Sequence, residues 1–525
     1  MALFTREELR EAGWTTEDEL RSAAEELADL EARGVSDRAY ALKLLRRKLG
    51  GDGLLARRAA EDAAPLACAL EATPGDDIEE TNLAAVRRTM GELLRVPVVE
   101  RGVLMPDACP VGPAEAMIPV GGVVAVNDAL IPSATGSDIC CSVSASFFPA
   151  DDGQGERDPK ALLDALLAAT RFGPGGRPTD DLVPHAVLDE PVWDNPFLKG
   201  LSNHARIHMA DQGDGNHFAY LGRFRLAGEG ASLLIAAGHT DVAEQMEGRD
   251  FYSVVTHHGS RGLGAHLFKR GQNAALKHTK KIAKGIPDAA AWLDATDTRG
   301  LAYWDALQYV GRWTKANHES IHRRFLESIG ASPTWHLWSP HNFVWKRGHT
   351  FLHGKGATPA WADASGNPLL GLVPLNMAEP ILLVAGSGNQ DYLSFCPHGA
   401  GRNQSRSAIL RDLRRAHRRG GPRIDEVIAR ATEGIDVRWF SGKADVTETP
   451  IGYKNATHVR AQIEKFGLAE VVGEIDPIGS IMAGKSLGRD ETDLLTPKQK
   501  RQMEQRKNRR RDRQRIGSGD WGEED

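Results

Sequence analysis

The sequence predicts an α+β protein: one large domain of mixed sheets and helices, preceded by a helical extension and followed by a basic tail. Three observations carry this. Apolar residues recur at helical spacing through about the first 70 residues. Short apolar runs divided by Gly and Pro begin near residue 98 and alternate with helical stretches to about 484. Beyond that point the composition turns basic.

The N-terminal reading rests on Thr15-Thr16-Glu17-Asp18 as a cap region, followed by Leu20, Ala24, Leu27 and Leu30 at roughly helical spacing. A second helix is predicted over Arg38 to Leu49. Its basic end, from Lys43 to Lys48, suits a helix C-terminus, and Gly50-Gly51-Asp52-Gly53 stops it. The extension is taken as residues 1–94, a packing or capping module, with a grip on RNA or a partner as the other reading. Val98-Val99-Glu100 and Gly121 to Val126 read as strands. A helical insertion is placed at 262–330, and a basic helical region, with Arg411, Arg414, Arg415, Arg418 and Arg419, at 410–435. The large domain is bounded at 95–484. In the tail, 485–525, ten Lys or Arg lie between Lys498 and Arg515. It is either solvated or disordered, or it neutralises phosphates without reading sequence.

With 525 residues the chain has room for two to four ordinary domains, or for one elaborate body with appendages. Its 55 glycines fall in short clusters beside polar residues, which suggests tight turns rather than a low-complexity linker. A net charge of -6 does not advertise nucleic-acid binding by the whole molecule, although a local basic surface is compatible with it. Five cysteines argue against a disulfide-built secreted protein. The opening MALFTREELR lacks the apolar region of a signal peptide, and no stretch is apolar and long enough to span a bilayer, so a cytoplasmic location is expected and no membrane partner.

Five polar clusters carry chemistry. Asp138 and Cys141, three apart after an apolar run, can offer one ion a hard oxygen and a soft sulfur from a single turn. Gly213 to Phe218 brings Asn216 and His217 out on a Gly-rich loop. In Thr256 to Gly262, His257 can bind metal while Ser260 and Arg261 face an anion. Pro340-His341-Asn342 follows Trp335 and Trp338. Pro397-His398-Gly399-Ala400-Gly401-Arg402, with Ser405-Arg406, combines glycines for close backbone approach to a phosphate with arginines that bind it bidentately. His398 suits the part of ligand, base or nucleophile, and spacing does not choose. None of these is a Walker A loop, a compact zinc finger or an HExxH helix. Taken singly, each histidine is as readily a satisfied structural residue.

In order along the chain, the motifs are Leu104-Met105-Pro106-Asp107, Asp138-x-x-Cys141, Gly215-Asn216-His217-Phe218 and His257-x-Gly259-Ser260-Arg261-Gly262-Leu263-Gly264. They continue through His341-Asn342, Lys355-Gly356-Ala357-Thr358, Gly386-Ser387, His398-Gly399-Ala400-Gly401-Arg402-x-x-Ser405-Arg406 and Tyr453-Lys454. Over about residues 95 to 484 this series resembles the RNA-splicing ligase RtcB family of GTP-dependent RNA ligases. The resemblance implies two manganese ions bridged by Cys141, one completed by Asp138 and His217, the other by His257 and His341. The ligand types alone suit Mn, Zn or Co. It further implies that His398 is the nucleophile that takes GMP from GTP and passes it to an RNA 3′-phosphate, which a 5′-hydroxyl RNA end then attacks. Ends bearing a 2′,3′-cyclic phosphate are first opened. Asn216, Lys355, Arg402 and Arg406 are the expected phosphate contacts. Gly386, Ser387, Gly399, Gly401, Ser405 and Tyr453 complete the expected nucleotide site, with Lys485 reaching in from the end.

Four departures bear on that expectation. Cys109 stands where the family usually has His, Cys140 where it has Gly, and Ala219-Tyr220 where it has Leu-Glu. Around Met482 to Lys485 no Lys occupies the usual terminal place. A side chain at Cys140 is expected to crowd the metal turn. The alternatives are an RNA-end processing enzyme, either a cyclic phosphodiesterase or a 3′-phosphate guanylyltransferase that does not seal, and a non-catalytic RNA-binding paralogue. An activating protein partner and the oligomeric state stay open, with a monomer favoured.

Overall fold

The computed structural model describes residues 3–49, 55–112, 114–173 and 175–485. The predicted stop at Gly50 to Gly53 and the tail beyond Lys485 lie outside the described residues. The first helices form as the caps dictate. Thr16 accepts from the Glu19 amide and Glu19 reaches back, so the helix Glu17–Ala32 opens on a reciprocal capping box. It buries Leu20, Ala23, Leu27 and Leu30, so Ala23 rather than Ala24 faces inward. With the helix Arg38–Leu49 it closes a small separate core around Trp14 and Leu45. Tyr40 docks this unit by hydrogen bonds to Asp128 and His349, and the buried Arg47 lies 3.6 Å from Asp128.

Residues 55–94 belong to the main body by their packing. Helix ends at Leu49, and Leu66–Cys68 is a strand paired parallel with residues 102–104. The helix Asp77–Leu94 packs Leu83, Val86, Met90 and Leu94 into the same core as Val99 and Leu104. The predicted boundary at 94/95 therefore cuts a continuous core.

Two sheets build the body. The larger runs Trp335–Pro340, Ser142–Pro149, Phe251–His258, Phe218–Leu226, Ala469–Met482, Ile381–Gly386 and Leu370–Pro374, all antiparallel, with Asp436–Trp439 parallel beside Ala469–Met482. The smaller runs Asn342–Arg347, Thr350–Lys355, Val120–Asn127, Val99–Cys109 and Leu66–Cys68. The chain passes from one sheet to the other at His341, between the strands Trp335–Pro340 and Asn342–Arg347. The segment 262–330 forms the long helices Arg261–Ile282 and Thr298–Ser328, which share a core with Ile139 and Cys140. No helix among the described residues is long and apolar enough to cross a membrane.

Side-chain alternation splits the strand Ser142–Pro149. Val143, Ala145 and Phe147 enter an apolar core, while Ser142 and Ser146 meet the buried His318 and His322 and Ser144 meets the half-buried His336. Those histidines join one polar chain. Ser142 Oγ donates to the Cys140 carbonyl and so accepts from His318 Nε2, at 3.0 Å. His318 Nδ1 then accepts from Thr256, which accepts from His322 Nε2 at 2.8 Å. His322 Nδ1 accepts from Ser146, which accepts from His336 Nδ1 at 2.9 Å. His318 and His322 are neutral in this order, and so is His336 when Ser144 Oγ gives its proton to His336 Nε2 rather than to the Leu337 carbonyl. Burial pushes His318 and His322 well below the usual imidazole range, and burial with Lys315 nearby takes His336 down to about 4.

A pH dependence follows. The unfolded chain binds these protons near pH 6.5 and the folded chain resists them, so protonation favours unfolding. Their contribution to stability is complete above about pH 6.5 and declines as the pH falls toward 4. The urea midpoint should fall over that window, and replacing His322 and His336 by Gln should flatten the decline. An unaltered slope in that variant would remove these rings as the cause.

Candidate metal centre and active-site cavity

Strand register gathers the site. Val143 pairs with His257, and His257 pairs in turn with Phe218, so Cys141 and His217, each just before its strand, flank His257. Pro340 pairs with Ser142, which brings His341 to the same row from the other side. The His341 amide donates to the Cys141 carbonyl at 3.0 Å. Five side chains from four segments thus meet where the two sheets join.

They form two overlapping groups with ligand atoms within 4.8 Å of one another: Asp138, Cys141 and His217, and Cys141, His257 and His341. Cys141 Sγ lies 3.2 Å from His257 Nε2 and 3.8 Å from His217 Nε2. His257 Nε2 faces His341 Nε2 at 3.3 Å, and His217 Nε2 lies 3.0 Å from Asp138 Oδ2. His257 Nδ1 donates to the Asn216 carbonyl, which leaves Nε2 as the free lone pair. Lone pairs aimed at one another in a buried place suit cations between them. Burial lowers His257 to about 3 and His341 well below its usual value, so both rings are neutral ligands at pH 7. Burial works to raise Asp138, but His217 beside it holds the carboxyl at about 2. Burial and Asp138 push the Cys141 thiol up, so loading a cation would release its proton.

Next to this cluster the short strand Phe395–Pro397 pairs with Ala357–Pro359 and delivers His398. Its ring stands 4.7 Å from that of His341, centre to centre. His398 Nδ1 donates to Asp107 Oδ2 at 2.5 Å, and its amide donates to the same oxygen at 3.1 Å. Asp107 is fully buried. In the neutral ring it fixes the tautomer that has Nε2 as the free lone pair. Gly401, at φ +72°, abuts the Asp107 backbone so closely that a Cβ would lie 2.0 Å from the carbonyl oxygen.

Both centres line one cavity of about 290 Å³. Asn216, Lys355, Gly399, Gly401, Arg402 and Tyr453 also line it, as do Glu448 and the segment Pro374 to Met377. Burial pushes Lys355 down to about 8. Glu448 accepts from Arg406 Nε at 2.6 Å and from Arg402 and Tyr453 at longer range, so it orients both arginines.

The comparisons with known proteins come next to this geometry. A family model described as tRNA-splicing ligase RtcB matches residues 198–483, more than half of the chain. The chain belongs to the RtcB family. It is 23% identical over 381 residues to the RNA-splicing ligase RtcB of Escherichia coli K12, covering 67% of this chain and 84% of that one. To the tRNA-splicing ligase RtcB of Thermococcus kodakarensis it is 23% identical over 449 residues, covering 73% and 87%. The RNA-splicing ligase RtcB of Mycobacterium tuberculosis H37Rv is 27% identical over 252 residues, 43% and 56% of the two chains. At such distances the chain is a divergent member of the family.

Several expected positions sit elsewhere in this RtcB chain. Gly386 ends, and Ser387 follows, the strand whose first residue, Ile381, lines the cavity; five strand steps, roughly 17 Å, separate the two ends of that strand. Pro374 to Met377, at the near end of that hairpin, forms the wall instead. Ser405 caps the helix Arg406–Arg418 by accepting from the Ala408 amide. Ser260 donates to the Ile139 carbonyl and Arg261 turns toward Asp211 and Gly173, so neither faces an anion at the metal cluster. The Lys485 amide donates to the Lys443 carbonyl, and Met482 rather than Lys485 lines the cavity.

The departures from the family pattern resolve physically. Cys140 has φ +58°, the left-handed conformation that favours Gly. Its side chain is buried in the helical core with Thr314 and Gly311, away from the ligands, so it does not crowd the turn. Tyr220 is buried in the cavity wall and donates to the Ile475 carbonyl at 2.9 Å. Cys109 is a buried neutral thiol, pushed up by burial.

Two residues escaped assignment from sequence. Asp107 was visible only as part of a motif, 291 positions from its partner His398. Glu448 had no local signal.

Proposed function

We infer that this RtcB chain is a metal-dependent RNA ligase that joins a 3′-phosphate or 2′,3′-cyclic phosphate end to a 5′-hydroxyl end, with GTP as cosubstrate. One observation carries the reading: His398, oriented by Asp107, shares a cavity with Asp138, Cys141, His257 and His341 of the cluster that His217 completes. The names of the similar proteins agree with it.

In the proposed reaction His398 Nε2 attacks the α-phosphorus of GTP and pyrophosphate leaves, so that GMP stays on the ring. Asp107 accepts the Nδ1 proton throughout and offsets the positive charge on the imidazole. An RNA 3′-phosphate oxygen then takes GMP from His398. The 5′-hydroxyl of the second RNA attacks the activated 3′-phosphorus, expels GMP and gives up its proton. Lys355 and Arg402 hold phosphate oxygens, Asn216 and Tyr453 bound the nucleotide, and Glu448 keeps Arg402 in place. Two divalent cations, manganese in this reading, would be held by the five-residue cluster and supply Lewis-acid stabilisation of charge on phosphate oxygens.

The test has two stages. Protein with Mn and labelled GTP should form a covalent GMP adduct, and should then seal a 3′-phosphate RNA to a 5′-hydroxyl RNA. No adduct with any of several metals and nucleotides would sink the reading. The neutral wall at Tyr220, where the resemblance leads one to expect a carboxylate, favours a second reading in which adduct forms and sealing does not follow. Asp107→Asn is expected to slow adduct formation by about 100-fold or more, because Asn can donate to Nδ1 and invert the tautomer. Unchanged adduct kinetics in that variant would leave Asp107 with a packing role alone.

A further inference from the structure

The helix Arg406–Arg418 begins at the cavity. Arg402, just before it, lines the cavity, and the Arg406 guanidinium lies beside Gly215 on the rim that carries Asn216. Ile409 is buried and Leu413 half-buried, one turn apart, so that face packs on the body. Arg411, Arg414, Arg415 and Arg418 recur at i, i+3, i+4 and i+7, and all four are exposed. They form one stripe that runs away from the cavity along a helix of about 20 Å.

This stripe is poorly balanced within the molecule. Among the described residues only Arg411 has a carboxylate partner, its neighbour Asp412 at 3.7 Å. Like charges at i, i+3 and i, i+4 destabilise a helix, so the spacing opposes helix formation unless an anion lies along it. The chain as a whole carries -6, yet residues 406–419 hold six arginines against one Asp. Charge gathered on one face, and continuous with a catalytic cavity, suits a linear polyanion rather than a single phosphate.

We propose that this arginine stripe is the rail for the phosphate backbone of a single RNA strand whose end enters the cavity. The proposal rests on the RNA-ligase reading for the identity of the polyanion. It adds where the strand lies and that contact there is independent of sequence, since arginine on phosphate positions a strand without reading bases. Arg402 and Arg406, held by Glu448, take the terminal phosphates; Arg411, Arg414, Arg415 and Arg418 take those behind.

The experiment compares the full chain with the triple variant Arg414→Glu, Arg415→Glu, Arg418→Glu, using a fluorescent single-stranded RNA with a 3′-phosphate. Affinity at low salt should fall at least tenfold. The slope of log affinity against log salt should become shallower by about 2, the value for three lost phosphate contacts on a single strand. GMP adduct formation, which needs no RNA, should stay within twofold of wild type. Arg→Gln at the same positions, with circular dichroism on both variants, separates lost charge from lost folding. Wild-type affinity and salt slope in a folded variant would overturn the rail. Failure of wild type to form adduct would count against the ligase reading instead, and the binding measurement would still be read on its own.

Discussion

Replacing His398 by alanine is expected to eliminate the covalent GMP adduct, with at least a ~10⁴-fold loss of rate, while the metal content of the protein stays unchanged. The geometry sets these two readouts against each other. His398 Nδ1 is committed to Asp107, so only Nε2 can react or ligate. Its ring lies beside that of His341 but outside both groups of converging ligand atoms. A nucleophile would lose the adduct and keep the metal. A ligand would lose metal, and a general base would leave a slow residual adduct. His398→Asn is the companion variant, because it retains a donor for the buried Asp107 carboxylate and avoids stranding that charge. Labelled GTP, counting of denatured protein at neutral to alkaline pH, where a P–N bond survives, and elemental analysis decide among the three. Adduct in both variants at near wild-type rates would remove His398 from the chemistry.

Cys141→Ser is expected to reduce cation affinity at both groups together, by more than about 100-fold. Changes in the surroundings of a ligand alone typically cost 10- to 100-fold, and this one removes a shared thiolate. Cys141 is common to the two triads, whereas Asp138 and His217 belong to one and His257 and His341 to the other. Asp138→Asn should therefore deplete one group and spare the second. Elemental analysis after dialysis against dilute chelator, with a thermal melt at fixed manganese, reads both effects. Occupied sites stabilise the fold by mass action, so the Cys141 variant should lose the manganese-dependent rise in Tm. Equal metal content in wild type and Cys141→Ser would show that the thiol is not the bridge.

Much of this was legible from sequence where the signal is local. Thr16 and Glu19 announce their helix because a capping box is completed within four residues. The same holds for the polar clusters at Asp138, His217, His257, His341 and His398, each set in small or apolar residues at or near a strand end. What sequence cannot supply is register. Asp107 meets His398 because the strands Val99–Cys109 and Phe395–Pro397 lie side by side, a fact written in neither segment. The hairpin of Leu370–Pro374 and Ile381–Gly386 shows the same limit. The family resemblance pointed to Gly386 and Ser387 at one end, while the fold turns the Pro374 to Met377 end to the cavity. Cys140 was misjudged for a different reason. Its left-handed φ sends the side chain to the helical core, a direction that identity alone does not disclose.

The crossing of the chain at His341 has a consequence for the order of synthesis. Residues 138 to 341 supply every member of the converging cluster and the four adjacent strands that align it. His398 comes later, and Ala469–Met482, which joins those four strands to the rest of their sheet, comes last among the described strands. A nascent chain can therefore complete the cation-holding half before the half that carries His398 exists. The last strand then closes a pairing about 250 residues apart in sequence, the kind of long-range contact that folds slowly. Metal capture during translation would give the earlier half a fixed template on which that late strand docks.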